Sequence, residues 1–319
     1  MGKGIAFAGT IVHDRIYGIN EYPSSGSLTR ITEVYNSVGG LVPNCAVDMK
    51  KLRKSVPVYA LGRVGDDASA DFCLGTMEKF GVDTSMVSRH KDALTGFTNV
   101  MSILGGQRTF FTYSGANDEF SYDDVPWDTL SVDFLHLGYF LLLEKVDTGE
   151  GLRILKEAKA RGIKTSIDLV SESAEKYQAV LPCLPYVDNI IVNELEAGAL
   201  TGITPTEDNL RSLAEKLLSL GVRERVIIHS PTLGVLAGSS GITSLPSYKL
   251  PEGFIKGTAG AGDAFCTGAL LAIYEGREDL EILEFATLAA TSSLRKSGAT
   301  ESVEDIDLLR EKFSLLERR

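Results

Sequence analysis

Positive charge is what this sequence is short of. Its 32 lysines and arginines stand against 43 aspartates and glutamates, for a formal net charge of −11. A nucleic-acid backbone demands a basic surface, so this balance argues against nucleic acid as the main partner. A phosphorylated substrate, which needs only local positive potential, is not excluded. Cysteine is scarce as well. Cys45, Cys73, Cys183 and Cys266 are scattered through apolar or small-residue contexts, with no CxxC pair and no Cys/His cluster at metal spacing. That argues against a structural zinc site and fits reduced, buried thiols in a cytosolic protein. No apolar run approaches the roughly 18 residues that a membrane helix needs. The opening stretch Met1–Gly9, with one lysine and a very short apolar run, reads as a first strand rather than a signal peptide. Its segment Gly4-Ile5-Ala6-Phe7-Ala8-Gly9 lacks the glycine spacing of a dinucleotide-binding turn, which removes a nicotinamide dehydrogenase. Repeats, low-complexity tracts and long linkers are also missing.

What is present is ordinary for a globular protein: 319 residues, 44% hydrophobic and 24% charged, enough to bury an ample core. From about residue 130 the pattern is regular. Strands at Phe134–Leu137, Lys164–Leu169, Asn189–Val192 and Arg225–His229 alternate with helical stretches at Gly149–Arg161, Ala174–Leu181, Glu194–Thr201 and Glu207–Leu220. Such alternation means a mostly parallel sheet covered on both faces, with ligands beyond the C-terminal strand ends. Two β-rich stretches interrupt the earlier part. Residues 13–37 contain the alternating Thr29–Tyr35, and 95–113 carry Gly105-Gly106 between two strand-like segments, a hairpin signal. They read as a small antiparallel sheet inserted into a larger α/β body. The charged stretch Glu301–Arg319 reads as a surface amphipathic helix.

The chemistry concentrates in Gly257-Thr258-Ala259-Gly260-Ala261-Gly262-Asp263, followed by an apolar segment. If that segment is a helix, the amides of Gly260, Ala261 and Gly262 stand at its N-terminus and form an anion site. A fixed aspartate there opposes simple phosphate binding. It makes sense if Asp263 takes a proton from a hydroxyl while the amides hold the charge on a transferred phosphoryl group. A glycine-rich turn capped by Asp263 fits the same letters. Gly39-Gly40 precedes Asn44 and a helical pattern; the glycines permit close backbone approach, and Asn44 both donates to and accepts from vicinal hydroxyls. Asn193 and Glu196, after Ile190-Ile191-Val192, suit a shared hydrated Mg²⁺, and equally a capping box.

In order and spacing these motifs resemble the ribokinase-like (PfkB) carbohydrate kinases over nearly the whole chain, including Asp14 in the first loop and Gly65-Asp66-Asp67. The resemblance implies a single domain over 1–319: a three-layer α/β/α body with a mostly parallel central sheet and a small β-sheet lid. It implies phosphoryl transfer from ATP-Mg²⁺ to a small-sugar hydroxyl. Asp263 is then the base, with Gly260, Ala261 and Gly262 as the anion hole. Asp14, Gly39, Gly40 and Asn44 are sugar ligands, and Asn193 and Glu196 hold Mg²⁺ and phosphates through water. Phe285–Ala299, with Ala289, Ala290 and Ser293, flanks adenine, and Gly234 belongs to the nucleotide loop. Arg108, on the second lid strand, reaches a carboxylate or phosphate of the acceptor, or is a solvated strand residue. A nucleoside kinase and a non-catalytic sugar- or nucleotide-binding regulator are the rival readings. Pairing of two lids into a homodimer is expected by analogy, and the location expected is the cytoplasm.

The chain departs from the family pattern at four places. Gly257 stands where members activated by a monovalent cation carry an aspartate, which puts that cation in doubt. Pro231 stiffens the loop leading to Gly234. Asp168-Leu169-Val170-Ser171-Glu172 lacks the Asn and Arg of some sugar-acid and fructose kinases. Leu137-Gly138-Tyr139 lacks the glutamate of ribose-type members.

Overall fold

The computed structural model describes residues 2–103, 108–173 and 175–319. The Gly105-Gly106 hairpin signal and residue 174 lie outside the described residues. The chain opens with β1 (Ile5–Ala8), then leaves the body through β2 (Val12–Ile19) and β3 (Ile31–Gly39) before α1 (Leu41–Leu52). It continues through β4 (Val58–Leu61), β5 (Arg63–Gly65), α2 (Ala68–Lys79), β6 (Ser88–His90), β7 (Gly96–Ile103) and β8 (Arg108–Tyr113). Then follow β9 (Phe134–Phe140), α3 (Gly151–Ala160), β10 (Lys164–Leu169), β11 (Asn189–Asn193), α4 (Glu194–Thr201), α5 (Leu210–Ser219) and β12 (Arg225–His229). The last part is β13 (Leu233–Gly238), β14 (Gly241–Pro246), α6 (Ala261–Tyr274), α7 (Asp279–Ser293) and α8 (Ile306–Lys312).

Eight strands form the central sheet in the order β14-β13-β12-β11-β10-β9-β1-β4, parallel from β12 to β4 and antiparallel at β13 and β14. The pleat explains the layering. Ile5 and Phe7 of β1 join a core with α1, α2, α6 and α7, whereas Ala6 and Ala8 join a second core with α3, α4 and α5. Burying each large apolar side chain in these cores contributes roughly 1.5–3 kcal/mol. A separate four-stranded sheet, β3-β2-β7-β8, forms the lid; it is mixed rather than antiparallel, because the two antiparallel pairs β2–β3 and β7–β8 join through parallel pairing of β2 with β7.

Three expectations of local structure change. An antiparallel hairpin, β13–β14, begins at Leu233, so the loop expected to run from His229 to Gly234 is cut short to residues 230–232. In place of a helix reaching Leu181 there are two 3₁₀ turns, Lys176–Ala179 and Leu181–Tyr186. Pro182 and Pro185, which lack the N–H an α-helix uses, account for the second turn. At the C-terminus the helix is confined to Ile306–Lys312, starting where the Asp305 carboxylate accepts the Asp307 N–H.

Candidate active site

At the C-terminal edge of the parallel strands, four elements converge. Strands β9, β10 and β11 end there, and α6 begins there. Gly260 turns into α6 in the left-handed region, with φ +74°, and a Cβ at that position would lie 2.6 Å from that of Ala299. This turn puts Gly262 and Asp263 in the first turn of the helix, where backbone N–H groups have no intrahelical acceptor. Gly260, Gly262 and Asp263 line a cavity of about 210 Å³. Ala261 behaves differently: its N–H donates to the Thr258 carbonyl at 3.2 Å, and its side chain lines the adjoining cavity.

Asp263 is buried, and both its neighbours orient it. The Asn44 Nδ2 donates to Asp263 Oδ2 at 2.8 Å, and the Tyr139 hydroxyl donates to the same oxygen at 2.9 Å. Burial, and then the charge of Asp168, push the Asp263 pKa up to about 7 against the pull of those two hydrogen bonds. Asn44 sits in the first turn of α1, which Gly40 opens at φ +84°; its own Oδ1 is buried without a partner. Gly39 is required by closeness, since a Cβ there would overlap the Asp14 carboxylate. Asp14 lies on β2, paired in register with Thr98 of β7, and burial lifts its pKa to about 6 against a hydrogen bond from Thr98.

Asn193 and Glu196 form a capping box at the start of α4. The Glu196 N–H donates to Asn193 Oδ1 and the Asn193 N–H to Glu196 Oε2, both at 2.9 Å. The capping reading of these letters is therefore realised, and the pair also lines the cavity with Asp168 and Asp263. Glu196 Oε1 accepts a long, 3.3 Å bond from the Ser171 hydroxyl. Burial, with Asp168 opposing ionisation, lifts the Glu196 pKa to about 7. Among the described residues no lysine or arginine lines this cavity. A crowded set of hard carboxylate oxygens without a protein cation fits a hydrated Mg²⁺.

The adjoining cavity, about 420 Å³, is the more apolar. Gly234, Pro231, Tyr248, Ile255, Phe265 and Ala290 are among its walls. Of the α7 residues expected here, Ala290 lines it. Ala289 and Ser293 do not: both are fully buried, and the Ser293 hydroxyl donates to the Ala290 carbonyl at 2.8 Å. The helical repeat turns Thr287, Ala290, Thr291 and Leu294 to the cavity instead. Gly257 rests against the backbone of Lys296 and Ser297, with no space for a side chain unless that backbone shifts. Arg108 is exposed at the far end of β8, opposite Ser102. It shares the Asp14 face of the lid but stands four residues beyond Thr112, the partner of Thr98, or about 13 Å along the strand. The structure does not bring it to the site.

Tyr139 is the residue that reading the sequence missed. It adopts φ +53°, unusual for a non-glycine residue, and its N–H donates to Asp168 Oδ1 at 2.6 Å. That backbone turn returns the phenol to Asp263. Its position at a parallel-strand end was the available signal. His229, whose pKa burial lowers to about 4, also lines both cavities and packs 4.7 Å from the Phe265 ring.

The description "pfkB family carbohydrate kinase" matches residues 6–306. The chain belongs to the pfkB family of carbohydrate kinases. It is accordingly a kinase that transfers a phosphoryl group from ATP to a sugar or nucleoside hydroxyl. A ribokinase of Arabidopsis thaliana is 26% identical over 290 residues, covering 90% of this chain and 75% of the relative. An adenosine kinase of Saccharomyces cerevisiae is 27% identical over 290 residues, covering 88% and 84%. The solved structure of Arabidopsis thaliana ribokinase complexed with ribose and ATP superposes with a TM-score of 0.82 at 24% identity, covering 98% of each chain. That last likeness speaks to the fold. No helix is long and apolar enough to cross a membrane, among the described residues.

Proposed function

We propose that this kinase phosphorylates a hydroxyl of a small sugar, with Asp263 as the base that accepts the hydroxyl proton. The observation that carries this reading is the Asp263 carboxylate, buried beside a helix N-terminus and held by Asn44 and Tyr139. With a pKa near 7 it is largely unprotonated just above neutrality, yet basic enough to take a proton as the oxygen attacks. The Gly260 turn presents the Gly262 and Asp263 amides, in the first turn of α6, to the charge that develops on the phosphoryl oxygens, while the Ala261 N–H is taken by the Thr258 carbonyl. Mg²⁺, when bound with ATP, supplies further neutralisation of phosphate charge, and Glu196 and Asn193 are the residues that hold it through water. Asp14, Gly39, Gly40 and Asn44 orient the acceptor. The apolar cavity takes the adenine against Gly234 and Ala290. The lid excludes water that would otherwise hydrolyse ATP.

The acceptor set of Asp14, Gly39, Gly40 and Asn44 is polar or lacks a side chain, which suits the hydroxyls of a sugar more than the face of a base. One observation favours the nucleoside: Phe110, 62% exposed, shares the lid face of Asp14 and offers a ring to a base. A coupled ADP-release screen with Mg-ATP over sugars, sugar acids, sugar phosphates and nucleosides decides between them. Turnover confined to nucleosides overturns the sugar reading; ATP binding with no acceptor turned over makes the chain a binder. Exposed Val34, Phe111 and Tyr113 on the other lid face are the surface through which a homodimer would form, checked by the mass in solution and its loss in Phe111→Glu. Four unbridged, buried thiols support a cytoplasmic setting.

A further inference from the structure

Behind the phosphoryl-transfer residues lies a cluster whose histidine and cysteine have no part in that chemistry, joined by Asp168, whose charge acts on Asp263. His136 of β9, Asp168 of β10 and Cys266 of α6 are all buried, and one ligand atom from each falls within 4.8 Å of the other two. The Cys266 Sγ is 3.6 Å from His136 Nε2, and Asp168 Oδ2 is 3.6 Å from the same nitrogen. A tetrahedral ion bonded at about 2.3 Å to sulfur and about 2.0–2.1 Å to nitrogen holds those two ligands about 3.6 Å apart; nitrogen and oxygen ligands stand about 3.4 Å apart. The surrounding contacts already aim the ligand atoms inward. His136 Nδ1 pairs with the Ser166 hydroxyl at 2.8 Å, which turns Nε2 toward Cys266 and Asp168, and Asp168 Oδ1 accepts the Tyr139 N–H, which leaves Oδ2 to face the imidazole. Asp168 and Cys266 also reach the wall of the 210 Å³ cavity, which gives an ion an entry path and an open position.

We infer that His136 Nε2, Asp168 Oδ2 and Cys266 Sγ form a three-ligand site for a thiophilic divalent cation of the Zn²⁺ class, with the fourth position open to the cavity. A carboxylate, a thiolate and a neutral imidazole balance the two charges of the ion, so the buried assembly is neutral. Sulfur and nitrogen donors discriminate against Mg²⁺, which separates this site from the oxygen set at Glu196. The cysteine spacing in the sequence carries no trace of it, because the three ligands come from separate elements. Binding crosslinks β9, β10 and α6 and so stabilises the fold.

The test is titration of chelator-stripped protein with Co²⁺. A sulfur-to-cobalt charge-transfer band should saturate at one equivalent, be displaced by Zn²⁺, and persist in excess Mg²⁺. Cys266→Ala should abolish the band and Cys45→Ala should keep it. If Cys266→Ala does not fold by circular dichroism, Ser166→Ala serves instead: it leaves every ligand in place and should weaken Co²⁺ binding about 10–100-fold. Zn²⁺ should also raise the thermal midpoint of the wild type. No band at stoichiometric Co²⁺, or a band that survives both Cys266→Ala and Ser166→Ala unchanged, overturns the site.

Discussion

Two aspartates are proposed to face the acceptor, the buried Asp263 on the body and the half-buried Asp14 on the lid; both have a raised pKa, and they are held in different ways. Asp263 stands in a helix that is buried from Asp263 to Ile273, with Asn44 and Tyr139 on one oxygen and the charge of Asp168 behind it. Asp14 belongs to a sheet whose outer strands, β3 from Ile31 to Asn36 and all of β8, are exposed; burial is the main cause of its shift, with Thr98 opposing. On the proposed reading the body fixes a proton acceptor in advance, whereas the lid offers a ligand whose place depends on how one sheet sits over the other. Chemistry should follow the body and recognition the lid.

The largest expected effect tests the body. Asp263→Asn should lower turnover by at least about 10²-fold while ATP binding, measured by calorimetry, persists. Next comes the lid. Asp14→Ala removes a hydrogen bond to a charged group, and should lower kcat/KM for the acceptor about 10–100-fold, mostly through KM. A drop confined to kcat would erase the division between the two aspartates. Smaller effects should appear as opposite shifts of the acid limb of the pH profile. Tyr139→Phe loses a hydrogen bond that holds the Asp263 pKa down, so its limb should move to higher pH. Asp168→Asn removes a charge that holds it up, so its limb should move lower. The smallest effect belongs to Arg108→Ala, about twofold or less on the acceptor KM, as for an exposed residue away from the site. A much larger change would mean that the lid closes far enough to carry Arg108 to the acceptor.

Legibility in the sequence divides along the same line. The buried parallel strands of the body, such as Asn189–Asn193 and Arg225–His229, carry short apolar runs and stand out. So does the Gly-Ala-Gly-Asp turn, because a helix start with small residues is a local feature. The strand expected at Thr29–Tyr35 spans Ile31–Gly39, since pairing with β2 extends it to the double glycine. The hairpin β13–β14 was hidden because its pairing with β12 is a tertiary fact and its first residues read as turn formers. Ala289 and Ser293 show the limit at the site: they lie in the right helix, but its rotational phase toward the cavity is set by packing. Tyr139 acts through a left-handed backbone turn that a tyrosine rarely adopts, and no neighbouring letter announces it.

The central claim, that Asp263 is the proton acceptor, is tested most directly by the pH dependence of kcat/KM for the acceptor in the wild type and in Asp263→Asn. The carboxylate is the active form and its pKa is raised by burial, so activity should rise with pH and level off above an apparent pKa near 7. That limb should vanish in Asp263→Asn, leaving a low, flat rate. The same limb persisting in the variant, with turnover close to that of the wild type, would contradict it.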